Sequence, residues 1–359
     1  MLKQIEILKI ELLSNGMKIS PSAKEALTER GKRPITLAEY ATTSGIPLKL
    51  KNDIWVNAPF LEDFCKKSNI VLDFNGDTYF VIWENKKYIA EPTPVPAYFD
   101  KKNKRGVPYI NLGVTHTDRV RISPIEGCYF ACKFCDLNLL PYKKKRISDL
   151  IEVIEVAVND EILPAKHGII SGGTPRPEDR NYFTKVMKEI PKAVDIPMDA
   201  FVPPWANLDY IEKIYSFGLN EISINIEIWN EKIAKSIMPQ KAVIGRDRYL
   251  KFIEKAVDTF GKEKVRSIIL VGLEPMKDLF EGVENLAKIG CSPVLSPFRP
   301  SPKTPLAKWP SPTVKQLVDA YEGSKKIVKK YNIKLGPHCI PDHHNTLTFP
   351  DKSNYYYYF

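Results

Sequence analysis

No run of about 18 consecutive apolar residues occurs in the 359-residue chain, which excludes a hydrophobic helix long enough to cross a bilayer. Cysteine is scarce: six residues in a chain of this length do not make a secreted disulfide framework, so the expected compartment is cytoplasmic. Self-similarity at the periods of solenoids or propellers is absent. Met1 to Leu13 carries Lys3, Glu6, Lys9 and Glu11 among its apolar residues, so it reads as an amphipathic helix ended by Asn15-Gly16 and not as a signal peptide. The net charge is +10, with basic runs at Lys101-Lys102-Asn103-Lys104-Arg105 and Lys143-Lys144-Lys145-Arg146. Neither run completes an RNA-binding motif, so nucleic acid as a partner has no motif behind it and solvated loops are expected. What the chain has in quantity is apolar content, 43%, enough for one large α/β domain and a smaller one.

The informative feature is a cluster within this scarcity. Cys128, Cys132 and Cys135 lie in Gly-Cys-Tyr-Phe-Ala-Cys-Lys-Phe-Cys-Asp, a C-x3-C-x2-C run. Three thiolates on a short loop suit three corners of a 4Fe–4S cluster, whose full set is four cysteines. A missing fourth ligand leaves one iron open, as catalytic metal sites keep a position open. Zinc is the competing occupant, but zinc motifs come as paired C-x2-4-C elements and no second pair exists here. Three buried inert thiols are the other alternative; the flanking Lys133 and Lys143 to Arg146 make a poor core segment.

The spacing, with the interleaved Tyr129, Phe130 and Phe134, resembles the radical SAM superfamily. The resemblance implies that the open iron chelates the amino and carboxylate groups of S-adenosyl-L-methionine (SAM). Reductive cleavage then gives methionine and a 5′-deoxyadenosyl radical, which abstracts hydrogen from a substrate. It also implies an electron donor such as flavodoxin or ferredoxin, and a partial (β/α)6 barrel as the fold.

Organisation along the chain agrees with that expectation. Residues 1–110 combine helical patterns at 2–14, 21–30 and 37–44 with strand-like runs at 53–56, 78–83 and 87–90. They read as a small α+β N-terminal domain of unknown role, with a hairpin turn at Asn85-Lys86 and a Pro-rich linker from Glu91 to Pro96. Residues 111–310 alternate apolar strands with amphipathic helices. The strands are predicted at 120–123, 168–171, 197–202, 221–228, 265–271 and 293–296. Six such units give a parallel sheet, fewer than the eight of a closed barrel. Residues 311–359 form a C-terminal extension: a helix at about 313–331, a segment rich in histidine, and an aromatic end, Tyr355 to Phe359.

In parallel βα folds ligands gather at the C-terminal ends of strands, and several motifs fall there. Gly172-Gly173-Thr174, after the second strand, resembles the family's glycine motif for the SAM amino group, with Thr174 in the acidic position. On the fourth strand, period-2 geometry puts Ser223, Asn225 and Glu227 on one face. Asn225 and Glu227 resemble the ribose-binding position of enzymes like biotin synthase and lipoyl synthase. Gly272, in Leu270-Val271-Gly272-Leu273-Glu274, resembles the adenine-side segment of that branch, and Phe134 is implied to flank the adenine. The stretch Pro297 to Leu306 is similar to a loop of biotin synthase, and its Arg299 offers a cation to an anionic substrate group.

Gly336 to Asn345 holds three of the five histidines and Cys339. Such a segment can ligate a second metal, face substrate as acid–base or thiol groups, or plug the barrel. The expectation taken forward is substrate-facing, with Cys339 as the reacting thiol. Cys65, Cys291 and Cys339 are too dispersed for an evident auxiliary cluster, which disfavours sulfur insertion from one. A small-metabolite reaction, as in enzymes similar to methylornithine synthase, is the expectation. The alternatives are an enzyme modifying RNA or a peptide, and a non-enzymatic iron–sulfur or zinc maturation protein.

Overall fold

The computed structural model describes residues 2–29 and 45–350. The expected helix at 37–44 and the aromatic end Tyr355 to Phe359 lie outside the described residues.

The chain opens with α1 (Gln4–Asn15), which stops at Gly16, whose φ of 63° is a left-handed value that glycine adopts without strain. A short strand β1 (Lys18–Ile19) and α2 (Pro21–Leu27) follow. The start of α2 is fixed by Ser20, whose hydroxyl accepts from the Ala23 N–H, with Pro21 at the first helical position. Then come β2 (Ile46–Leu50), β3 (Ile54–Ala58), β4 (Val71–Phe74), β5 (Tyr79–Trp83) and β6 (Lys86–Pro92). These strands form one six-stranded sheet in the order β1-β4-β5-β6-β2-β3, antiparallel except for β1 on β4. The hairpin turn expected at Asn85-Lys86 sits one residue earlier. Glu84 and Asn85 both have positive φ, the geometry that two-residue hairpins require, and Lys86 already belongs to β6.

The second sheet begins with β7 (Gly113–His116) antiparallel to β8 (Arg119–Ile122). A small ribbon, β9 (Ile125–Glu126) with β10 (Lys143–Lys144), brackets the cysteine loop. The βα alternation then runs α3 (Ile147–Val158), β11 (His167–Ile170), α4 (Arg180–Ala193), β12 (Met198–Phe201), α5 (Asp209–Tyr215) and β13 (Ile222–Ser223). It continues through α6 (Glu231–Ile237), α7 (Pro239–Ala242), α8 (Arg246–Phe260), β14 (Val265–Val271), α9 (Met276–Lys288) and β15 (Ser292–Pro297). The order β15-β14-β13-β12-β11-β8-β7 puts six parallel strands side by side in chain sequence and curls into a partial barrel. β7, unforeseen from the sequence, caps the open edge at β8.

The fourth barrel strand is shorter than its expected span, 221–228. Its regular ladder ends at Ser223 because side chains of both strands accept from backbone N–H groups across the pair. The Asn225 Oδ1 accepts from the Ile268 N–H at 3.2 Å, and the Ser267 hydroxyl accepts from the Ile226 N–H at 3.0 Å. Glu227 turns with a positive φ of 65° and rejoins β14 through its N–H to the Ile268 carbonyl.

The other open edge, at β15, is closed by the C-terminal extension. α10 (Val314–Lys330) begins with a capping box between Thr313 and Gln316 and packs on α9 and α1. The chain then returns beside β15. The Gly336 N–H donates to the Pro293 carbonyl and the Leu347 N–H to the Leu295 carbonyl, around the short helix α11 (Ile340–His343). The first helix helps to hold this segment, and here the amphipathic reading of α1 needs correction. Lys9 is fully buried and donates to the carbonyls of His343 (2.8 Å) and Thr348 (2.6 Å). Burial lowers its ammonium to about 7. α1 thus has buried residues around much of its girth, wedged between the first sheet and the C-terminal extension.

Candidate active site

The cysteine loop crosses the C-terminal end of the first barrel strand, and all three cysteines line one cavity of about 300 Å³ inside the barrel. Cys132 is buried and packs with Ile228, Leu273, Phe298 and Leu306; Phe130, Phe134 and Leu270 border this apolar cluster. Burial pushes the Cys135 thiol up to about 12 and raises Cys128 and Cys132 as well. A thiolate in such surroundings needs a compensating cation, and a bound metal deprotonates a coordinating thiol outright. Among the described residues no three His, Cys, Asp or Glu side chains close on a single ion. Spaced thiols at one cavity wall fit the three corners of a cluster.

The Gly-Gly-Thr turn after β11 lies directly against this loop. A Cβ on Gly173 would fall 1.7 Å from the Gly127 carbonyl oxygen, and one on Gly172, at φ 106°, would fall 2.2 Å from the Ser123 hydroxyl. Only glycine permits this approach at both positions. The Thr174 N–H donates to the Cys128 sulfur at 3.2 Å, and the Tyr129 N–H donates to the Thr174 carbonyl at 2.9 Å. The Thr174 carbonyl is thus engaged by the cysteine loop. Gly172 and Thr174 line the cavity, while Gly173 lines an adjoining pocket with Ser171, Asn225 and Lys241.

Ser223, Asn225 and Glu227 all reach the cavity, as period-2 geometry predicts. The Asn225 Oδ1 is also held by the Ser223 hydroxyl at 2.7 Å. Glu227 forms an ion pair with Lys241, Nζ to Oε2 at 2.7 Å, both side chains largely buried. Burial opposes the charge on Lys241, but the Glu227 carboxylate outweighs it and holds the ammonium above its ordinary range. Sequence reading missed Lys241: in Pro-Gln-Lys-Ala-Val, on the one-turn helix α7, nothing marks it as internal.

Phe134 lines the cavity beside the cysteines. Gly272 does not. It turns with φ 105° against Pro312, where a Cβ would approach to 3.0 Å. Leu270 is the residue of that segment that reaches the lumen, while Glu274 clamps the end of the fourth strand by accepting from the N–H groups of Trp229 (3.1 Å) and Asn230 (2.7 Å).

Arg299 lines the cavity but is anchored outward. It donates to the Asn57 carbonyl at 3.0 Å and stands 4.0 Å from the Glu62 carboxylate, fastening the barrel to the six-stranded sheet. Cys339 is buried and absent from the cavity wall. It receives a hydrogen bond from Arg119 (3.3 Å) and donates to Asp342 (3.5 Å), and burial raises its thiol far above the ordinary range. His338, His343 and His344 are buried beneath the same wall. The segment reaches the lumen through Pro337, Asp342, Asn345 and Thr346 instead.

Asp342 completes an ionic floor at the N-terminal ends of the strands, a second feature that local sequence did not disclose. It pairs with Arg119 at 2.7 Å and Arg266 at 3.6 Å, and Arg266 also meets Glu221 (2.7 Å) and Asp199 (3.2 Å). Burial alone would raise the Asp342 carboxyl; the two guanidinium groups override it and hold it far below the usual carboxylate range.

A six-stranded parallel partial barrel with a three-cysteine loop over its first strand defines a class of cluster-bearing barrels. Residues 122–290 match the model of the radical SAM superfamily, and they are a radical SAM domain. The cofactors of that superfamily are a 4Fe–4S cluster and SAM. The chain is 25% identical to the bacteriochlorophyllide c C-7(1)-hydroxylase of Chlorobaculum limnaeum, over 60% of this chain and 48% of that protein. It is 27% identical to the GTP 3′,8-cyclase of Aliarcobacter butzleri, over 46% of this chain and 51% of the cyclase. The chain thus spans about half the length of the curated relatives it matches. Solved structures similar to it include a radical SAM methyltransferase from Sphaerobacter thermophilus, at TM-score 0.48 and 14% identity, covering 73% of each chain. Methylornithine synthase is another, at TM-score 0.45 and 13% identity, covering 60% of this chain and 70% of the synthase. No described helix is long and apolar enough to cross a membrane.

Proposed function

We propose that the protein is a radical SAM enzyme whose cluster is held by Cys128, Cys132 and Cys135 and whose substrate is a small polar metabolite. One observation carries the reading: the three cysteines, Gly172, Thr174, Asn225 and Glu227 border a single cavity at the strand ends. When bound, a cluster with one open iron supplies the one-electron reduction that cleaves SAM to methionine and a 5′-deoxyadenosyl radical. The chain's own residues do the rest. The Thr174 N–H steadies the Cys128 sulfur, and hydrogen bonds to cluster sulfurs are among the protein's levers on reduction potential. Asn225 and Glu227 are positioned to hold ribose hydroxyls, with Lys241 fixing the carboxylate. Phe134, Phe130 and Leu270 keep water from the reacting end.

A small substrate is favoured because the lumen is about 300 Å³ and ends in a polar floor of Arg119, Arg266 and Asp342, the size and mixed lining of a small-molecule site. Two relatives bear names that refer to bacteriochlorophyllide c and to GTP, also small molecules. Among the described residues, we assign those up to 110 the role of a side wall, those of 111–310 that of the catalytic barrel and those from 311 onward that of its closure. Anaerobic reconstitution tests the reading. The protein is expected to take up about four irons per chain and to form 5′-deoxyadenosine from SAM under dithionite. Failure to bind iron, or iron without SAM cleavage, would overturn it.

A further inference from the structure

The buried face of α8 is a stripe of Tyr249, Phe252, Ile253, Ala256 and Val257, the spacing of a helix packed against the barrel. The other four side chains are hydrocarbon; Tyr249 carries a hydroxyl. Tyr249 is 4% exposed, and its hydroxyl has no hydrogen-bond partner among the described residues. A phenylalanine would fill the same space without burying an unpaired donor, and folded proteins pair nearly all buried polar groups. Burial raises the phenol above its ordinary range, with Lys241 opposing the shift and Glu227 adding to it. The hydroxyl therefore stays protonated at neutral pH and is a donor without an acceptor.

Its surroundings say which acceptor fits. Tyr249 borders the adjoining pocket of about 100 Å³, which shares Gly172, Thr174, Asn225, Glu227 and Lys241 with the main cavity. The ionisable groups that act on the hydroxyl are Lys241, Glu227 and Cys132. The Lys241 ammonium lies 5.8 Å from the ring centre and acts in turn on the Cys128 and Cys132 thiols. The hydroxyl thus stands on the cysteine side of the site, next to a cation.

We propose that the Tyr249 hydroxyl donates to the carboxylate of SAM, beside Lys241, and so positions the methionine end of the molecule. The proposal rests on the functional reading above, which places that end at the three cysteines. SAM has one anionic group, its carboxylate, and a hydrogen bond to a charged acceptor is stronger than one to a neutral oxygen. A carboxylate that binds a metal through one oxygen leaves the other to accept from the protein. Glu227 would repel a second carboxylate, and the Lys241 ammonium paired with it offsets that charge. Tyr249 is then a binding residue, and the hydroxyl that packing does not need is accounted for.

The test is Tyr249→Phe, which keeps the ring and removes only the hydroxyl. Equilibrium dialysis of the reconstituted protein measures its affinity for SAM and for decarboxylated SAM, which lacks the proposed acceptor. The variant should bind SAM about tenfold or more weakly, the loss expected for a hydrogen bond to a charged group. Its affinity for decarboxylated SAM should stay within about twofold of wild type. Without SAM its melting temperature should be level with wild type or higher, because an unpaired buried donor has been removed; saturating SAM should raise the melting temperature of wild type more than that of the variant. Unchanged affinity for SAM would overturn the proposal and leave the hydroxyl to water. Equal losses for both molecules would overturn it by placing the contact away from the carboxylate. A lower melting temperature without SAM, with affinity intact, would make the hydroxyl part of the fold. Reconstituted wild type that holds its irons but binds no SAM would overturn the functional reading and this proposal with it.

Discussion

At the scale of single residues, Glu227 carries two demands. Its carboxylate lines the cavity, where we propose that it meets SAM, and also holds Lys241. Breaking a buried pair by removing one partner costs about 3–5 kcal/mol, because the other charge stays buried. Glu227→Ala should therefore lower thermal stability as well as SAM affinity. Adding Lys241→Met should restore much of the stability but leave SAM affinity about ten- to a hundredfold weaker, as expected for a lost charged acceptor. Full recovery of SAM binding in the double variant would confine Glu227 to the ion pair. Gly173 makes a sharper case. A methyl group there meets the Gly127 carbonyl, so Gly173→Ala should force the two loops apart. Iron uptake should fall while the far-UV circular dichroism stays native; normal iron content would show that the contact yields without consequence.

At the scale of elements, the segment around α11 separates a buried thiol from a site residue. Cys339→Ala should leave SAM cleavage and cluster content near wild type, since the sulfur does not reach the cavity. Asp342→Ala should cost about 3–5 kcal/mol in a urea titration, because it leaves Arg119 and Arg266 without a shared carboxylate. Equal effects of the two substitutions would refute the placement. This contrast also marks what local sequence can disclose. The βα elements were legible because apolar period and caps are written within a dozen residues: β14 at Val265–Val271 coincides with the expected strand, and α10 at Val314–Lys330 with the helix expected at about 313–331. The cysteine loop, the Gly-Gly-Thr turn and the 223–227 face were legible for the same reason. Lys9, Lys241 and the Arg119–Asp342 pair were not. Lys9 meets Thr348 across 339 positions of sequence, and a lysine or arginine with a remote partner looks like any solvated charge. Cys339 misled because a Cys among histidines suggests chemistry, whereas the direction it faces depends on how the segment lies against β15.

At the scale of the whole molecule, buried histidines set the acid limit of the fold. Burial lowers His167 to about 3, His338 to about 4 and His343 to about 3. Unfolded imidazoles take up protons near pH 6.5, so the folded state is disfavoured as pH falls below that value. Asp199 acts oppositely: burial raises it to about 6, which favours the fold as pH falls from about 6 towards 4. Burial also raises Asp118, Glu274 and Glu11, in the same sense as Asp199, but the histidine shifts are the larger, and the melting temperature should be lower at pH 5 than at pH 7. A melting temperature that is level or rising towards pH 5 would show that these histidines are not held neutral.

The central claim is that one loop of three thiols converts this barrel into a SAM-cleaving enzyme. It is tested most directly by measuring iron content and 5′-deoxyadenosine side by side in reconstituted wild type and in Cys132→Ala, the variant of the most buried of the three cysteines. The account predicts about four irons per chain and dithionite-dependent 5′-deoxyadenosine for wild type, with both lost in the variant. Wild-type iron and wild-type SAM cleavage in Cys132→Ala would contradict it.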